Sequence, residues 1–347
     1  MRKYWVIQRK SFSYLIDKKT TLAILILALA AFISMLVSIG VGELYIAPFE
    51  VLTALFGSGL EMNQLIITEF RLPRVLVAFI AGASLALSGA ILQGVIRNPL
   101  ASPDMIGITG GAGFAAVAFL TMFSDDSNNL LLSINYLPLF AFAGATIVAF
   151  LIYGLAWKDG VTPIRLILIG IGLMALFQAL TTLMMLMGPI YRASQATVWL
   201  TGTVYGTSWK EVKAMLPWFL GMLPILIFLV RRLNIQGFGD DLTTGAGISV
   251  HRERFMLLMV CTALAGSAVA FAGAMGFVGL IGPHIARRIT GSSFGGLFPA
   301  SALIGGIMVV LADLAGRTLF SPLEVPAGVF TAAIGAPYFI YLLFKNQ

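Results

Sequence analysis

Charge is scarce in this sequence. Asp, Glu, Lys and Arg make up only 11% of 347 residues, against 59% hydrophobic. A water-soluble globule needs a far more polar surface, so the chain reads as a membrane protein. Cysteine is nearly absent: the single Cys261 lies in an apolar run, which excludes a disulfide framework and a Cys-rich metal site and leaves a small core residue. The two histidines, His251 and His284, are far apart in sequence, so no metal is expected. No GxxxxGK[ST] phosphate loop occurs, and the glycines at 107–113 enter an apolar stretch with no following lysine, so the chain is not expected to bind ATP. HExxH, a Ser-His-Asp set and paired carboxylates within a span are also missing, which argues against an intramembrane enzyme. An ion-coupled secondary transporter would need ionisable residues in mid-span. The only carboxylate clearly inside a predicted span is Asp313, four residues from Arg317, a spacing that predicts an ion pair between them.

What is present is a succession of apolar runs. A bilayer takes roughly 20 residues per helical span, and ten candidates follow one another at 21–41, 74–96, 105–123, 137–157, 164–187, 212–230, 256–275, a short 277–289, 297–316 and 326–345. The expected fold class is an all-α polytopic membrane protein: residues 1–20 form a cytoplasmic N-terminal segment and 21–347 a single transmembrane domain. The first run imitates a signal peptide, with Ala28-Leu29-Ala30 resembling a cleavage site, but it continues unbroken to Gly40 and reads as a retained span.

The net charge of +7 suits basic cytoplasmic loops better than nucleic acid. With the N-terminus inside, sixteen of the 22 Lys and Arg fall on the cytoplasmic side, and only Arg71, Arg74, Arg192, Lys210, Lys213 and Arg317 fall outside. That bias supports ten spans with both termini cytoplasmic. Residues 81–99 also overlay 265–283 with six identities, including Gly82/Gly266 and Gly89/Gly273. Five spans separate the copies, so they would run in opposite directions, as in inverted-repeat transporters. Two helices that independently need small residues would give the same match.

Two polar features stand out. Arg71 and Arg74 flank Pro73, which is expected to start a helix; two cations held outside against the charge bias look like a docking patch, or anchors at lipid phosphates. Inside, the longest loop, 231–254, contains Gly239-Asp240-Asp241-Leu242-Thr243-Thr244-Gly245-Ala246-Gly247. An acidic start and a glycine finish suit a short helix and a turn, a handle for a motor subunit or an ordinary solvated loop.

The stretches FRLPRVLVAFIAGASLALSGAILQGVIRNPLASPDMIGITGGAG, GFVGLIGPHIARRITG and ADLAGRTLFSPLEVPAGVFTAAIGAPYFIYLL resemble, in that order, the FecCD family of permeases of siderophore, haem and cobalamin ABC importers. The resemblance implies a permease paired with a second permease, the same chain or a related one. Two cytoplasmic ATP-binding-cassette ATPases would carry ATP and Mg, and an extracytoplasmic binding protein would deliver the cargo. It implies no cofactor on this chain and a place in the cytoplasmic (inner) membrane. Arg71, Arg74 and Arg317 match arginines that receive acidic residues of the binding protein. Gly239, Asp240, Asp241, Leu242, Gly245 and Gly247 look like the coupling segment seated on the ATPase, with Thr243 where the family commonly has Ala. Thr162, Pro163, Ile164 and Arg165 match the cytoplasmic gate region, where Pro163 and Ile164 replace small hydroxylated residues of the cobalamin member. Trp199, Thr201 and Gly202 resemble the short outer helix bordering the pathway, and Asn98, Pro99, Pro283 and His284 match motif positions expected to be structural. Iron(III)-siderophore complexes are the expected cargo, with cobalamin or haem as the alternative.

Overall fold

The computed structural model describes residues 4–9, 12–42, 44–125, 129–158 and 160–345. Arg2, Lys3 and Lys10 of the predicted cytoplasmic segment lie outside the described residues. Elsewhere in that segment, β1 (Tyr4–Arg9) and β2 (Phe12–Asp17) pair antiparallel, with Tyr4 opposite Asp17. This ribbon is the one addition to an otherwise helical fold among the described residues. Asp17 ends it and caps the first helix, its carboxylate accepting the Lys19 amide at 3.2 Å.

Ten helices coincide with the ten predicted spans: α1 (Lys18–Gly40), α4 (Leu72–Ile96), α5 (Ile108–Met122), α6 (Leu137–Ala156), α7 (Pro163–Met187), α9 (Trp209–Gln236), α11 (Val250–Ala272), α12 (Val278–Thr290), α13 (Phe294–Thr318) and α14 (Ala327–Lys345). Eight of these segments are long and apolar enough to cross a bilayer. α5 and α12, with 15 and 13 residues, are shorter. Between the spans lie α2 (Pro48–Leu55), α3 (Glu61–Leu65), α8 (Ile190–Thr201) and α10 (Asp240–Gly245). The end of the bundle where α1 begins is called near, the opposite end far.

Two expectations are corrected. Pro73 does not start its helix: helical structure runs from Glu61 through a π turn at Ile66–Arg71 into α4. The π turn lengthens the ladder, the Leu72 amide reaching back to Ile67, just before a residue that brings no N–H, so the helix passes the proline unbroken. The loop 231–254 is also shorter than predicted, because α9 continues to Gln236 and α11 already begins at Val250. Polar ends of long helices extend beyond the apolar window that reveals them.

α4 is the centre of the bundle. Its apolar window is 89% buried, whereas that of α7 is 17% buried. Lipid offers no hydrophobic drive between helices, so close approach of small residues must hold them. A methyl group on Gly89 would overlap the Gly279 carbonyl, and one on Gly82 the Gly305 carbonyl, which lets α4 sit directly against α12 and α13. Cys261 is buried there, its carbonyl accepting the Ser88 hydroxyl at 2.8 Å.

The packing repeats between the first five spans and the last five. α4 lies on α13 as α11 lies on α6; α5 with α6 corresponds to α12 with α13, and α6 with α7 to α13 with α14.

Candidate functional site

The far-end arginines come together. Arg71 reaches the end of α1, donating to the carbonyls of Ile39 (2.8 Å), Gly40 (3.1 Å) and Leu44 (2.6 Å). The first two are the last carbonyls of α1, where a cation is favourable; Leu44 lies in the loop that follows. Arg74 grips both Asp313 oxygens, at 2.8 Å for Nη2 to Oδ1, and also Glu324 at 2.9 Å. Arg317 donates to the Ser38 carbonyl and hydroxyl. The expected Asp313–Arg317 pair is present only at 3.8 Å. Asp313, 3% exposed, has Arg74 as its principal partner, because the crossing of α4 and α13 brings a full guanidinium fork to it. The three arginines therefore bind α1, α4 and α13 together, and Glu324, with a side chain 36% exposed, is the open edge of the cluster.

At the near end, the predicted coupling and gate segments are joined through a residue that the motifs did not single out. Arg254, 3% exposed, donates from Nη2 to both oxygens of Asp240 at 2.9 Å and from Nη1 to the Val161 carbonyl at 2.7 Å. Asp240 opens α10, and Val161 immediately precedes Thr162, which caps α7 by accepting the Arg165 amide at 3.5 Å. Arg97, closing α4 in a left-handed conformation, also pairs with Asp240. Arg165 donates to the Lys158 carbonyl at 2.8 Å, and Ile164 is exposed.

α10 is built as its sequence suggests. Gly239 (φ +112) precedes it, Asp240 and Asp241 occupy its first turn, Leu242 is exposed, Gly245 ends it and Gly247 (φ +77) makes the turn after it. Thr243 is fully buried, its hydroxyl donating to the Gly239 carbonyl at 2.6 Å, so the departure from Ala is absorbed without an unpaired hydroxyl.

The sequence matches the FecCD transport family over residues 27–345. The chain belongs to that family. It is 53% identical to the probable siderophore transport system permease protein YfhA of Bacillus subtilis (strain 168), over 95% of this chain and 96% of that one. It is 47% identical to the Fe(3+)-citrate import system permease protein YfmE of the same strain, over 94% of this chain and 96% of that one. A transporter assigned to the metal-chelate ABC type and solved in an inward-facing conformation superposes with a TM-score of 0.83 at 29% identity, covering 94% of this chain and 99% of that chain.

In this FecCD chain the residues expected along the pathway are divided. Trp199 lines a cavity of about 770 Å³. Thr201 and Gly202 instead fasten the end of α8: a Cβ on Gly328 of α14 would overlap the Thr201 carbonyl, and the Gly328 amide donates to the Gly202 carbonyl at 3.0 Å. Gly202 (φ +86) lies against Ala274 and Met275, in the break between α11 and α12.

That break holds features the sequence reading missed. Phe277 adopts φ +66, rare for an aromatic residue, and the Asp104 carboxylate lies beside its amide and the Thr109 hydroxyl. The Phe277 ring occupies the space a side chain at Gly335 of α14 would need. Asp104 thus ties the loop before α5 to the start of α12. A sequence signal for it was available only as an acid inside the first of the three family stretches, in NPLASPDMIG. Asn98 turns that loop, its side chain accepting the Leu100 amide at 2.9 Å. His284 is buried, edge-on to the Tyr338 ring at 5.9 Å, and neither ring nitrogen has a hydrogen-bond partner among the described residues. No group of three or more His, Cys, Asp or Glu suited to a metal occurs among the described residues.

Proposed function

We propose that this chain is the permease subunit of an ABC importer that carries iron(III)-siderophore complexes across the cytoplasmic membrane, with its near end in the cytoplasm. The names of the iron-chelate permeases it resembles support the cargo, and the bias of Lys and Arg supports the orientation. A binding protein docks at the far-end arginine cluster, its acidic residues competing with Glu324, the exposed carboxylate there, for Arg74. Two ATPases carrying ATP and Mg seat on α10 and its flanking loop, and a second permease covers the exposed face of α7.

The observation that carries the coupling is Arg254. A displacement of α10 by the motor pulls on Asp240, and the same guanidinium holds Val161 at the start of α7. Movement of the handle therefore reaches the gate segment Thr162–Arg165 through a single side chain of α11.

The test is uptake into proteoliposomes containing the permease, its ATPase and its binding protein. Ferric siderophore enters and cobalamin does not; uptake of cobalamin instead would replace the cargo assignment. Arg254→Ala is expected to retain the ATPase on co-purification while lowering transport per ATP hydrolysed by roughly tenfold or more, since charged hydrogen bonds are individually worth about 1.5–3 kcal/mol. An unchanged ratio in the variant removes Arg254 from the coupling route.

A further inference from the structure

The 770 Å³ cavity contains no arginine of either cluster, although the Tyr205 ring at its mouth lies 5.7 Å from the Arg74 guanidinium. It lies where the two sets of five spans differ. α1 packs along α13, but α9, its counterpart in the second set, has no packing of similar extent on α6. A crevice is left at the far end over α11, floored by Ala270 and Phe271. The Phe142 and Trp218 rings cross it edge to face at 5.6 Å, and the Trp218 indole N–H donates to the Ala263 carbonyl at 3.1 Å. Tyr205 and Lys210 stand at the mouth.

We infer that this crevice binds one anionic phospholipid of the leaflet at the far end, with an acyl chain over α11 and the headgroup phosphate on Lys210 and Lys213. Depth supports a lipid: from Lys210 to Trp218 is eight residues, ~12 Å along a helix, close to the ~15 Å of hydrocarbon in one leaflet. Charge supports an anionic one. Lys210, which lines the crevice from the first turn of α9, and Lys213, one turn further along the helix, are exposed, and their ammonium groups have no side-chain partner among the described residues. Cations are disfavoured at a helix N-terminus by the helix dipole. The neighbouring carboxylate, Glu211, is committed to the cap, accepting the Ser208 amide at 2.7 Å and its hydroxyl at 2.8 Å. An aromatic and tyrosine-lined mouth at this level suits the headgroup boundary.

The full chain is reconstituted in phosphatidylcholine nanodiscs doped with phosphatidylglycerol or phosphatidylcholine brominated on the acyl chains. The fluorescence lost by the wild type minus that lost by Trp218→Phe reports quenching at Trp218. Brominated phosphatidylglycerol is expected to reach half-maximal quenching at a mole fraction lower by roughly fivefold for each lysine engaged, at ~1 kcal/mol per cation. Lys210→Gln with Lys213→Gln removes the preference and leaves the quenching by both lipids. Ala214→Phe, which fills the crevice wall without adding a fluorophore that absorbs with tryptophan, excludes both lipids in a chain whose lysines are intact. Equal quenching by the two lipids in the wild type overturns the proposal. So does loss of the preference on adding inorganic phosphate, which would make the lysines a free-anion site, and so does relief of quenching by ferric siderophore, which would make the crevice part of the cargo route.

Discussion

α4 and α11 hold corresponding places in the two sets of five spans and run in opposite directions, so the arginines at their starts lie at opposite ends of the molecule. The far cluster fastens rigid parts: Arg71 closes the end of α1, and Arg74 holds α13 through Asp313. The near cluster fastens a short helix: Arg254 holds α10 through Asp240, whose side chain is 48% exposed. Similar chemistry therefore serves a buried junction of long helices at one end and a short exposed helix at the other. The same contrast runs through the packing. The first set is closed, with α5 packed on α7 and Gly170 of α7 meeting the backbone of Ile106 just before α5. In the second set α12 touches α14 mainly through Phe277 and His284, and α9 leaves its crevice open. The second set is where the bundle has room to rearrange.

The rigid end is broken most severely at Arg74. Arg74→Ala leaves Asp313 buried without its main partner, and removing one member of a buried pair costs about 3–5 kcal/mol. The purified variant is expected to unfold at distinctly lower temperature in detergent, with Asp313→Asn in the same chain restoring part of the loss. Reversing Arg71 and Arg74 together to Glu is for this reason a poor probe of docking alone, since the Arg74→Glu change sets a third carboxylate against Asp313 and Glu324. Docking is better followed through the salt dependence of binding-protein association with the wild type, which should slow as salt rises if the cluster steers it.

A smaller effect compares the two sets directly. Gly82 and Gly266 are equivalent in the sequence overlay, yet a methyl on Gly82 would overlap backbone of α13, whereas one on Gly266 would meet only the Ala145 methyl and the Phe142 ring, each at 3.2 Å. Gly82→Ala is expected to destabilise by about 1–3 kcal/mol, and Gly266→Ala by less, read from denaturation in the same detergent. Equal losses would mean that the second set is packed as tightly as the first.

The smallest change in stability is expected at the turn after α10. Gly247 has φ +77 and open space where a Cβ would stand, so Gly247→Leu is expected to cost mainly ~1 kcal/mol of backbone strain. If α10 and its turn seat the ATPase, the variant folds but loses coupled uptake; normal uptake by a folded variant would show that this turn is an ordinary loop.

The run of spans was legible because lipid imposes a length and a composition on each helix, and each of the ten segments was found to within a turn or two of helix. The family was legible in its three motifs, and α10 in its aspartates and glycines. Arg74 and Asp313 are separated by 239 residues, and Arg254 and Val161 by 93; no local pattern announces such pairs. Sequence spacing put Asp313 with Arg317, one helical turn away, and only the crossing of α4 and α13 gave it Arg74. Asp104 lies just outside the predicted span 105–123, and only the fold brings the break at Phe277 onto it. The sequence by itself determined what must lie in the membrane, since that depends on transfer of each segment into lipid. The tertiary structure decided which charges meet, which carbonyls glycine must admit and where the bundle stays open, because those depend on how helices cross.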